Sequence, residues 1–337
     1  MKDRFLMRVL VPLMVVLAFV DGLAAQSPKP EEIRVLTLVG RPLPMVAGEM
    51  QGIFARFGIA VVSDNLPSSD LLRAALAEGR GDLAYAAVDN AIAMAEKAAV
   101  DVVVVSGGEG SQNELIAQPE FKSVKQLQGK VLLVDAVNTA YALQLKKILS
   151  INGMQPDRDY ELRAYGATPL RLKALLEHKE FAASMLGAPA SLIAKRAGLV
   201  SLGSIPDLLG AYQALGHFAR RKWAEEHSAL LVRYLAAYIE AQRWIMDPAN
   251  KQQVVEMMIK EYKLSPEVAT DFYDLSMTRP GGFEKDARID NQGLENVLKL
   301  RAEIEGEWGG HVPSATKYYD DAYYETALAK TRGIKEK

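Results

Sequence analysis

Four short polar loops hold the side chains of this chain that are best suited to bind a small molecule. They are residues 40–44, 88–90, 135–139 and 187–189, and each follows an apolar, β-rich run. Open parallel sheets bind ligands beyond the carboxyl ends of their strands, where helix N-termini present backbone N–H groups. The candidate ligand-binding residues in these loops are Arg41, Pro42, Asp89, Asn90, Asp135, Asn138, Thr139, Gly187 and Pro189.

Arg41 is the basic side chain among these candidates, and its guanidinium suits a carboxylate, sulfonate or phosphate group. An ordinary solvated loop arginine is the alternative. Asn138 and Thr139 can donate hydrogen bonds to a ligand, but both residue types are also common helix N-caps, and the same ambiguity applies to residues 89–90. Asp135 would repel an anion unless it faces an amine or a donor on a heterocycle, so a ligand with both polarity types is conceivable.

The composition argues against catalysis and metal binding. The 337 residues include no cysteine, which excludes disulfides, thiolate metal sites, iron–sulfur clusters and cysteine nucleophiles. The four histidines lack metal-ligand spacing, and neither a nucleotide-binding glycine loop nor a Gly-x-Ser-x-Gly motif is present. Forty lysines and arginines against 42 aspartates and glutamates give a formal net charge of −2, which offers no general attraction for nucleic acid. We therefore expect a binding protein with no cofactor, no metal and no nucleic-acid partner.

The first 25 residues are predicted to be a cleaved secretory signal peptide. Basic residues precede an apolar run from Val9 to Val20, and small residues follow it. This run spans only ~18 Å as a helix, short of the ~30 Å hydrocarbon core, so a permanent membrane span is the weaker alternative. Cleavage after Ala24 or Ala25 leaves no cysteine for a lipid anchor. The expected location is the periplasm, as a soluble protein and not a lipoprotein.

A pattern of strand, helix, strand, helix, strand occurs twice in the chain. The first copy has strands at 33–39, 59–62 and 83–87, and the second at 130–134, 160–165 and 182–186. Each copy has the form of two successive crossover units, which bury a parallel sheet between helices. We therefore predict an α/β fold with two doubly wound lobes. After Lys222 helical periodicity dominates, which predicts a helical C-terminal extension that covers the first lobe.

Three glycines between the two copies, Gly107, Gly108 and Gly110, follow the apolar run at 102–105. Glycine permits the backbone rotation that a hinge needs, and the alternative is an ordinary glycine-rich turn. The predicted organisation is a signal peptide at 1–25, a first lobe with its helical cover at 26–111 plus 206–337, and a second lobe at 112–205.

Three segments occur in an order and spacing that resemble a known family. They are 44–58 (PMVAGEMQGIFARFG), 75–83 (ALAEGRGDL) and 123–131 (SVKQLQGKV). The family is the type II periplasmic solute-binding proteins of ABC importers, in the branch that contains the nitrate, sulfonate and taurine binding proteins and the thiamine-pyrimidine-precursor proteins. The second lobe departs from this branch, with His178, Glu180 and Phe181 where glycine, a small residue and aspartate are usual.

The resemblance implies a type II periplasmic binding protein fold, with the ligand held between two lobes that a hinge joins. It further implies a small organic ligand (a sulfonate, a carboxylate or a pyrimidine-like molecule), delivery to an ABC permease in the inner membrane, and a monomer without enzymatic activity. Two alternatives stay open: a ligand-sensing subunit of a signalling receptor, and a lyase on the same fold. Export argues against the lyase, because the metabolites of such enzymes are cytoplasmic.

Overall fold

A computed structural model describes residues 29–38, 40–278 and 280–332, so the predicted signal peptide lies outside the described residues. The strands are β1 Glu31–Leu38, β2 Ile59–Leu66, β3 Leu83–Ala87, β4 Val102–Glu109, β5 Glu114–Ala117, β6 Val131–Val134, β7 Glu161–Ala164, β8 Phe181–Leu186, β9 Val200–Ser204 and β10 Leu215–Arg220. The helices are α1 Leu43–Met50, α2 Ile53–Arg56, α3 Ser69–Ala77, α4 Asp89–Lys97, α5 Ala140–Ile151, α6 Thr168–Glu177, α7 Ala190–Arg196, α8 Ile205–Leu209, α9 Arg221–Glu226, α10 Ser228–Met246, α11 Lys251–Tyr262, α12 Pro266–Met277, α13 Asn291–Glu305 and α14 Ala322–Arg332. None of the helices in these ranges is long and apolar enough to cross a membrane.

The strands form two five-stranded sheets with equivalent topology. The first sheet has the order β2-β1-β3-β10-β4, and the second has the order β7-β6-β8-β5-β9. In the first, β1 pairs in parallel with β2 and β3, whereas β10 is antiparallel to β3 and β4. In the second, β6 pairs in parallel with β7 and β8, whereas β5 is antiparallel to β8 and β9. The predicted repeat is therefore present, and each sheet gains one antiparallel strand that a purely parallel prediction lacks. We call the first sheet with α1–α4 the first lobe, and the second sheet with α5–α7 the second lobe.

Two helices, α6 and α3, leave some of their leucines exposed. On α6 Leu175 is buried, but Leu170 and Leu176 are exposed. The inward position is taken instead by Arg171, which is 1% exposed. Leu71 on α3 is likewise exposed, because its helix packs through the residues that follow it.

A single apolar cluster runs from one lobe to the other. It includes Leu36 and Ile92 of the first lobe, Leu132 and Leu143 of the second, and Leu298 of α13. Helix α13 packs directly on α5, so the C-terminal extension contacts the second lobe as well as covering the first. Burial of this shared surface is the main apolar contribution that holds the lobes together.

The opposite face of the first sheet is covered by α1, α2, α10 and α14. Tyr234 and Tyr238 of α10 are fully buried there, as its helical periodicity predicts. His217 on β10 lies beneath them, with its Nδ1 atom 2.8 Å from Ser106 Oγ and its Nε2 atom 3.0 Å from the Tyr234 hydroxyl. Burial lowers the pKa of His217 to about 3, so this imidazole is neutral and serves the packing of the core.

Candidate ligand-binding cleft

The carboxyl ends of the parallel strands define one edge on each sheet. In the first sheet β1, β3 and β4 end at this edge, and β10 begins there, since Leu215 pairs with Glu109. In the second sheet β6, β8 and β9 end at the corresponding edge, and β5 begins there, with Glu114 opposite Leu186 and Ser204. Such edges are where open α/β sheets bind ligands.

Two chain segments join these edges. Residues 110–113 run from β4 to β5, and residues 205–214 run from β9 to β10. The Ile205 amide donates to the Asn113 carbonyl at 2.9 Å, and the Ala214 amide donates to the Glu109 carbonyl at 3.2 Å. Because both crossovers start and end at a carboxyl edge, the two edges flank them. We call the space between the edges, with the crossovers as its floor, the cleft.

Glu109, which the sequence predictions missed, ends β4 at the cleft. It is half-buried, and Gln112 Nε2 lies 3.5 Å from its Oε2 atom. Burial raises the pKa of the Glu109 carboxyl group to about 8. Burial also raises the pKa of Tyr85 and Tyr238, and the charge of Glu109 adds to both shifts. The signal available in the sequence was an acidic residue within the glycine-rich segment that follows the apolar run at 102–105.

The second lobe contributes amide and phenol groups to the same place. Asn113 Nδ2 donates to Gln144 Oε1 of α5 at 2.9 Å. A Cβ atom on Gly187 would lie 2.9 Å from Asn113 Oδ1 and 3.4 Å from the Tyr141 hydroxyl. The pKa of Tyr141 is raised first by burial and also by the charges of Asp135 and Glu109. The structure therefore places predicted residues Gly187 and Asp135 near groups of the cleft that the sequence did not reveal.

Arg41 lies at the start of α1, as predicted, but two carboxylates already engage it. Its Nε and Nη2 atoms lie 3.0 and 2.9 Å from Glu261 Oε1, and its Nη1 atom contacts Glu49. The Tyr262 hydroxyl donates to the Arg41 carbonyl at 2.9 Å. Pro42 occupies the N-cap position of α1. The charge of Arg41 is thus offset within the first lobe and its C-terminal helices, and its contact with a ligand stays a prediction.

Asp89 and Asn90 follow β3 and are buried within the protein. Asp89 Oδ1 accepts a hydrogen bond from Arg301 Nη1 of α13 at 3.0 Å. Asn90 accepts from Arg73 at 3.0 Å and donates to the Ala87 carbonyl at 3.1 Å. Both side chains bond other protein groups, so their role toward a ligand also stays a prediction.

The loop after β6 is organised around Thr139. Its hydroxyl donates to Asp135 Oδ1 at 2.5 Å and lies 3.1 Å from the Ala136 carbonyl. Thr139 precedes α5, but its side chain makes no capping hydrogen bond to that helix. Asn138 is part-buried beside it, and Pro189 occupies the equivalent position before α7.

Arg171 is a second cleft-edge residue that the sequence predictions missed. Its Nε atom donates to Ser184 Oγ, and its Nη2 atom donates to Thr168 Oγ1 and the Met185 carbonyl, each at 3.1 Å. Its guanidinium lies 5.1 Å from the centre of the Tyr141 ring. Burial lowers the pKa of Arg171, although the charge of a neighbouring aspartate opposes this. The sequence did not mark Arg171 as a cleft residue, because it lies in a leucine-rich helix whose inward face the apolar periodicity assigns to the core.

The predicted hinge glycines lie at and just after the end of β4. Gly107 and Gly108 are inside the strand, and a Cβ atom on Gly107 would lie 2.1 Å from the Arg288 carbonyl oxygen. A Cβ atom on Gly110 would lie 2.9 Å from Gly281 Cα. These glycines permit close packing of the segment that follows α12, and rotation about them stays a prediction. Within the described ranges, no group of three or more histidine, aspartate or glutamate side chains is placed to hold a metal ion.

Comparison with known sequences gives one family match. The model of the NMT1-like family matches residues 37–259, about two thirds of the chain. No curated protein sequence matches this chain.

Comparison with solved structures gives matches that cover almost all of the described residues. The ligand-binding component of an ABC-type import system from Staphylococcus aureus has a TM-score of 0.71 at 16% identity, covering 88% of this chain and 99% of that chain. The periplasmic nitrate-binding protein NrtA from Synechocystis PCC 6803 has a TM-score of 0.72 at 13% identity, covering 89% and 88%. The periplasmic aliphatic sulphonate-binding protein SsuA from Escherichia coli has a TM-score of 0.67 at 18% identity, covering 86% and 92%. The predicted fold class, that of the periplasmic binding proteins, is confirmed.

Proposed function

We propose that this chain, which belongs to the NMT1-like family, is a periplasmic solute-binding protein. It captures a small organic solute between its two lobes and delivers it to an ABC importer. The similar structures are named as binding proteins for sulphonate and nitrate and as the ligand-binding component of an import system, which supports this role.

The observation that carries the proposal is the convergence of both lobes on one cleft. Glu109 of the first lobe ends β4, and its carbonyl accepts a hydrogen bond from the Ala214 amide of the second crossover, whereas Asn113 of the first crossover lies against Gly187 of the second lobe, with Tyr141 beside it. Asn113 on the crossover and Gln144 on α5 continue the same polar surface. Polar groups that converge from two lobes at the carboxyl ends of their sheets are the arrangement expected of a small-molecule site.

Ligand binding would drive closure of the lobes. A ligand in the cleft contacts groups of both lobes only when they are close together, so it binds the closed form more tightly than an open form. Export through the predicted signal peptide at 1–25 would place the closed, loaded protein beside the permease. Catalysis has no part in this function.

A thermal-shift screen of the purified protein tests the proposal. The panel contains sulfonates, aliphatic and aromatic carboxylates, nitrate, pyrimidines and organic amines. At ~100 times the dissociation constant, a ligand adds about 2.7 kcal/mol to the free energy of unfolding. We expect a clear rise in melting temperature with at least one class. If no class raises it, the proposal is wrong.

A variant locates the site. Gly187→Val places a side chain against Asn113 and Tyr141 and should weaken the best ligand of the screen at least ~10-fold by occupying the space it needs. The matched control is Lys173→Ala, a change on the exposed surface of α6 in the same lobe, which should leave affinity unchanged. If the Gly187 variant binds the ligand as tightly as the wild type does, the ligand binds outside the cleft.

A further inference from the structure

A segment of the C-terminal extension lies along the end of β4. Residues 281–289, between α12 and α13, are called the clamp; within them Phe283 pairs with Glu109 in antiparallel fashion. Two main-chain hydrogen bonds flank this pair, from the Gly110 amide to the Gly282 carbonyl at 3.1 Å and from the Glu284 amide to the Gly108 carbonyl at 3.0 Å. The clamp therefore continues the first sheet beyond β4 by a short antiparallel pairing.

The predicted hinge glycines are the residues on which the clamp packs. A Cβ atom on Gly107 would lie 2.1 Å from the Arg288 carbonyl oxygen, and one on Gly110 would lie 2.9 Å from Gly281 Cα. Rotation of the backbone at these residues would break the two main-chain hydrogen bonds of the clamp. Close approach of two backbones is therefore what requires glycine here.

The clamp is itself fixed to the first lobe. Phe283 is 4% exposed and lies in the apolar cluster formed by α1, α11 and α12. Asp286 accepts a hydrogen bond from the Nε atom of Arg243 on α10 at 2.6 Å. Because α1 belongs to the first lobe and α10 covers its sheet, the clamp fastens the end of β4 to that lobe.

The first crossover changes its attachment from one lobe to the other within two residues. A Cβ atom on Gly281 of the clamp would lie 3.0 Å from the Ser111 carbonyl oxygen, whereas Asn113 donates to Gln144 of the second lobe at 2.9 Å. Gln112 stands between these attachments, and its backbone forms no hydrogen bond within the described part of the chain. Its side-chain amide makes two contacts, both at 3.5 Å. Gln112 is thus the link that joins the two attachments.

The second crossover has a corresponding point at Gly210. Before this residue, α8 packs on α5 and β9 of the second lobe. After it, the Ala211 carbonyl accepts from Asn296 of α13 at 2.8 Å, and the Ala214 carbonyl accepts from the Val88 amide at 2.9 Å. Gly210 has a φ of 79° and a ψ of −154°, and no heavy atom lies within 4 Å of where its Cβ would be. This backbone conformation is essentially restricted to glycine.

We propose that the clamp makes the glycine-rich end of β4 a rigid part of the first lobe and confines rotation between the lobes to one residue in each crossover, Gln112 and Gly210. This inference rests on the proposed function, in which the lobes close on a solute. The C-terminal extension then has a second role besides covering the first lobe, because it sets where the chain turns.

Hydrogen exchange of the ligand-free wild-type protein tests the clamp. The reference is the Val104 amide in the middle of β4, which donates to the Tyr318 carbonyl at 2.8 Å. After correction for intrinsic rates, we expect the Gly110 and Glu284 amides to exchange within about 30-fold of the rate of Val104, because the clamp opens only when the lobe unfolds. Faster exchange of these two amides would show that the glycine-rich segment rotates, and the inference would be wrong.

Distances between the lobes test the two rotating residues. The chain has no cysteine, so nitroxide labels attach only to introduced ones, at Leu71→Cys on α3 and Leu170→Cys on α6, both exposed positions. Pulsed electron paramagnetic resonance measures the distance between the labels in the ligand-free protein, with and without Gly210→Ala. The matched control is Gly129→Ala, because Gly129 also has a positive φ, 73°, and open space at its Cβ position, but lies before β6 and outside the crossovers.

Gly210→Ala should shift the mean distance by at least ~3 Å, because alanine disfavours the backbone angles that orient the second lobe. Gly129→Ala should leave the mean distance unchanged. A smaller shift in Gly210→Ala, or an equal shift in the control, would overturn the inference.

Gln112→Gly should broaden the distance distribution, because glycine enlarges the backbone freedom at the other rotating residue. Its control, Gln155→Gly in an exposed loop of the second lobe, should leave the width unchanged. Equal widths in the two variants would contradict the assignment of Gln112. If Gly210→Ala fails to fold, the hydrogen exchange and the Gln112 variant decide. None of these measurements uses a solute, so a negative result here leaves the proposed function standing, and a negative thermal-shift screen leaves these results intact.

Discussion

The two lobes meet along two flanks of the cleft that are built differently. We call α4, α5 and α13 the α13 flank, and α1, α7, α11 and α12 the α12 flank. On the α13 flank the apolar cluster is continuous from Ile92 through Leu298 to Leu143, all fully buried. On the α12 flank, Leu192 and Ile193 of α7 are only partly buried, and they pack against the apolar cluster formed by α1, α11 and α12. Separation of the lobes would expose far more apolar surface on the α13 flank.

The charged groups show the same contrast. On the α13 flank Arg301 is fully buried between Asp89, at 3.0 Å, and Glu307, at 3.3 Å. On the α12 flank Arg196 and Asp271 form an ion pair with both side chains nearly half exposed. Water can replace the second pair at little cost but not the first. We infer that the lobes open at the α12 flank and stay joined at the α13 flank.

The largest expected effect is that of breaking the buried ion cluster. Arg301→Met leaves Asp89 buried without its cation, which should lower the free energy of unfolding by about 3–5 kcal/mol. Arg196→Met on the α12 flank should lower it by less than ~0.5 kcal/mol. Urea denaturation measures both. Similar losses in the two variants would show that the flanks do not differ in this way.

The contrast between the flanks was not available from the sequence, whereas the repeat was. Alternating apolar residues are a local pattern, and the six strands of the two copies all appear in the sheets. The antiparallel placement of β5 and β10 is set by pairing with distant strands, so no local pattern contains it. Arg301 and Asp89 are 212 positions apart, and nothing in either neighbourhood predicts their contact.

The sequence predicted where the cleft lies, but it did not predict which side chains line the cleft or how they are paired. The rule that ligands bind at carboxyl ends of strands selected four loops, two of which supply Asp135 and Gly187 near Tyr141. It missed Glu109, because the run that forms β4 was interpreted as a connection between the lobes, so its end was not recognised as a further carboxyl end at the edge of the first sheet. It did not reveal that Arg41 is paired with a carboxylate, because Glu261 lies 220 positions away and no local pattern predicts that contact.

A cavity in each flank tests the packing difference. Leu298→Ala removes a fully buried side chain from the continuous cluster and should cost about 3 kcal/mol in the free energy of unfolding. Leu192→Ala on the half-buried face of α7 should cost about 1 kcal/mol. Small-angle scattering should show an expanded form only for the α7 variant. An expanded form of the Leu298 variant would contradict the inference that the lobes open at the α12 flank.

Glu109, in the cleft between the flanks, should make the free energy of unfolding of the ligand-free protein depend on pH. The folded pKa of Glu109 is raised from 4.5 to about 8, so the folded protein retains a proton that the unfolded chain has released. The free energy of unfolding should therefore fall as pH rises from 4.5 to 8, by on the order of 1–2 kcal/mol for this partly exposed group.

Two comparisons isolate that contribution. Glu109→Gln should remove the decline between pH 5 and 8. His217 acts in the opposite direction: its folded pKa is lowered from 6.5 to about 3, so the stability that it contributes is lost as pH falls through that range. Thermal unfolding at successive pH values measures both. An unchanged slope in the Glu109 variant would show that its carboxyl group is not buried enough to matter.

The smallest expected effect concerns the partly exposed ion pairs that join the lobes. Lys146 of α5 lies 3.2 Å from Glu305 of α13, and both side chains are 17% exposed. Double-mutant cycles with Lys146→Met and Glu305→Gln should give a coupling of about 1 kcal/mol, against less than ~0.5 kcal/mol for Arg196 and Asp271. Salt should weaken the second coupling more, because solvent screens exposed charges. Ligand should raise the coupling only at the α12 flank, since only that pair would separate when the cleft opens. An equal rise at the pair on α13 would mean that both flanks move, and the pivot would then lie in the crossovers at 110–113 and 205–214 alone.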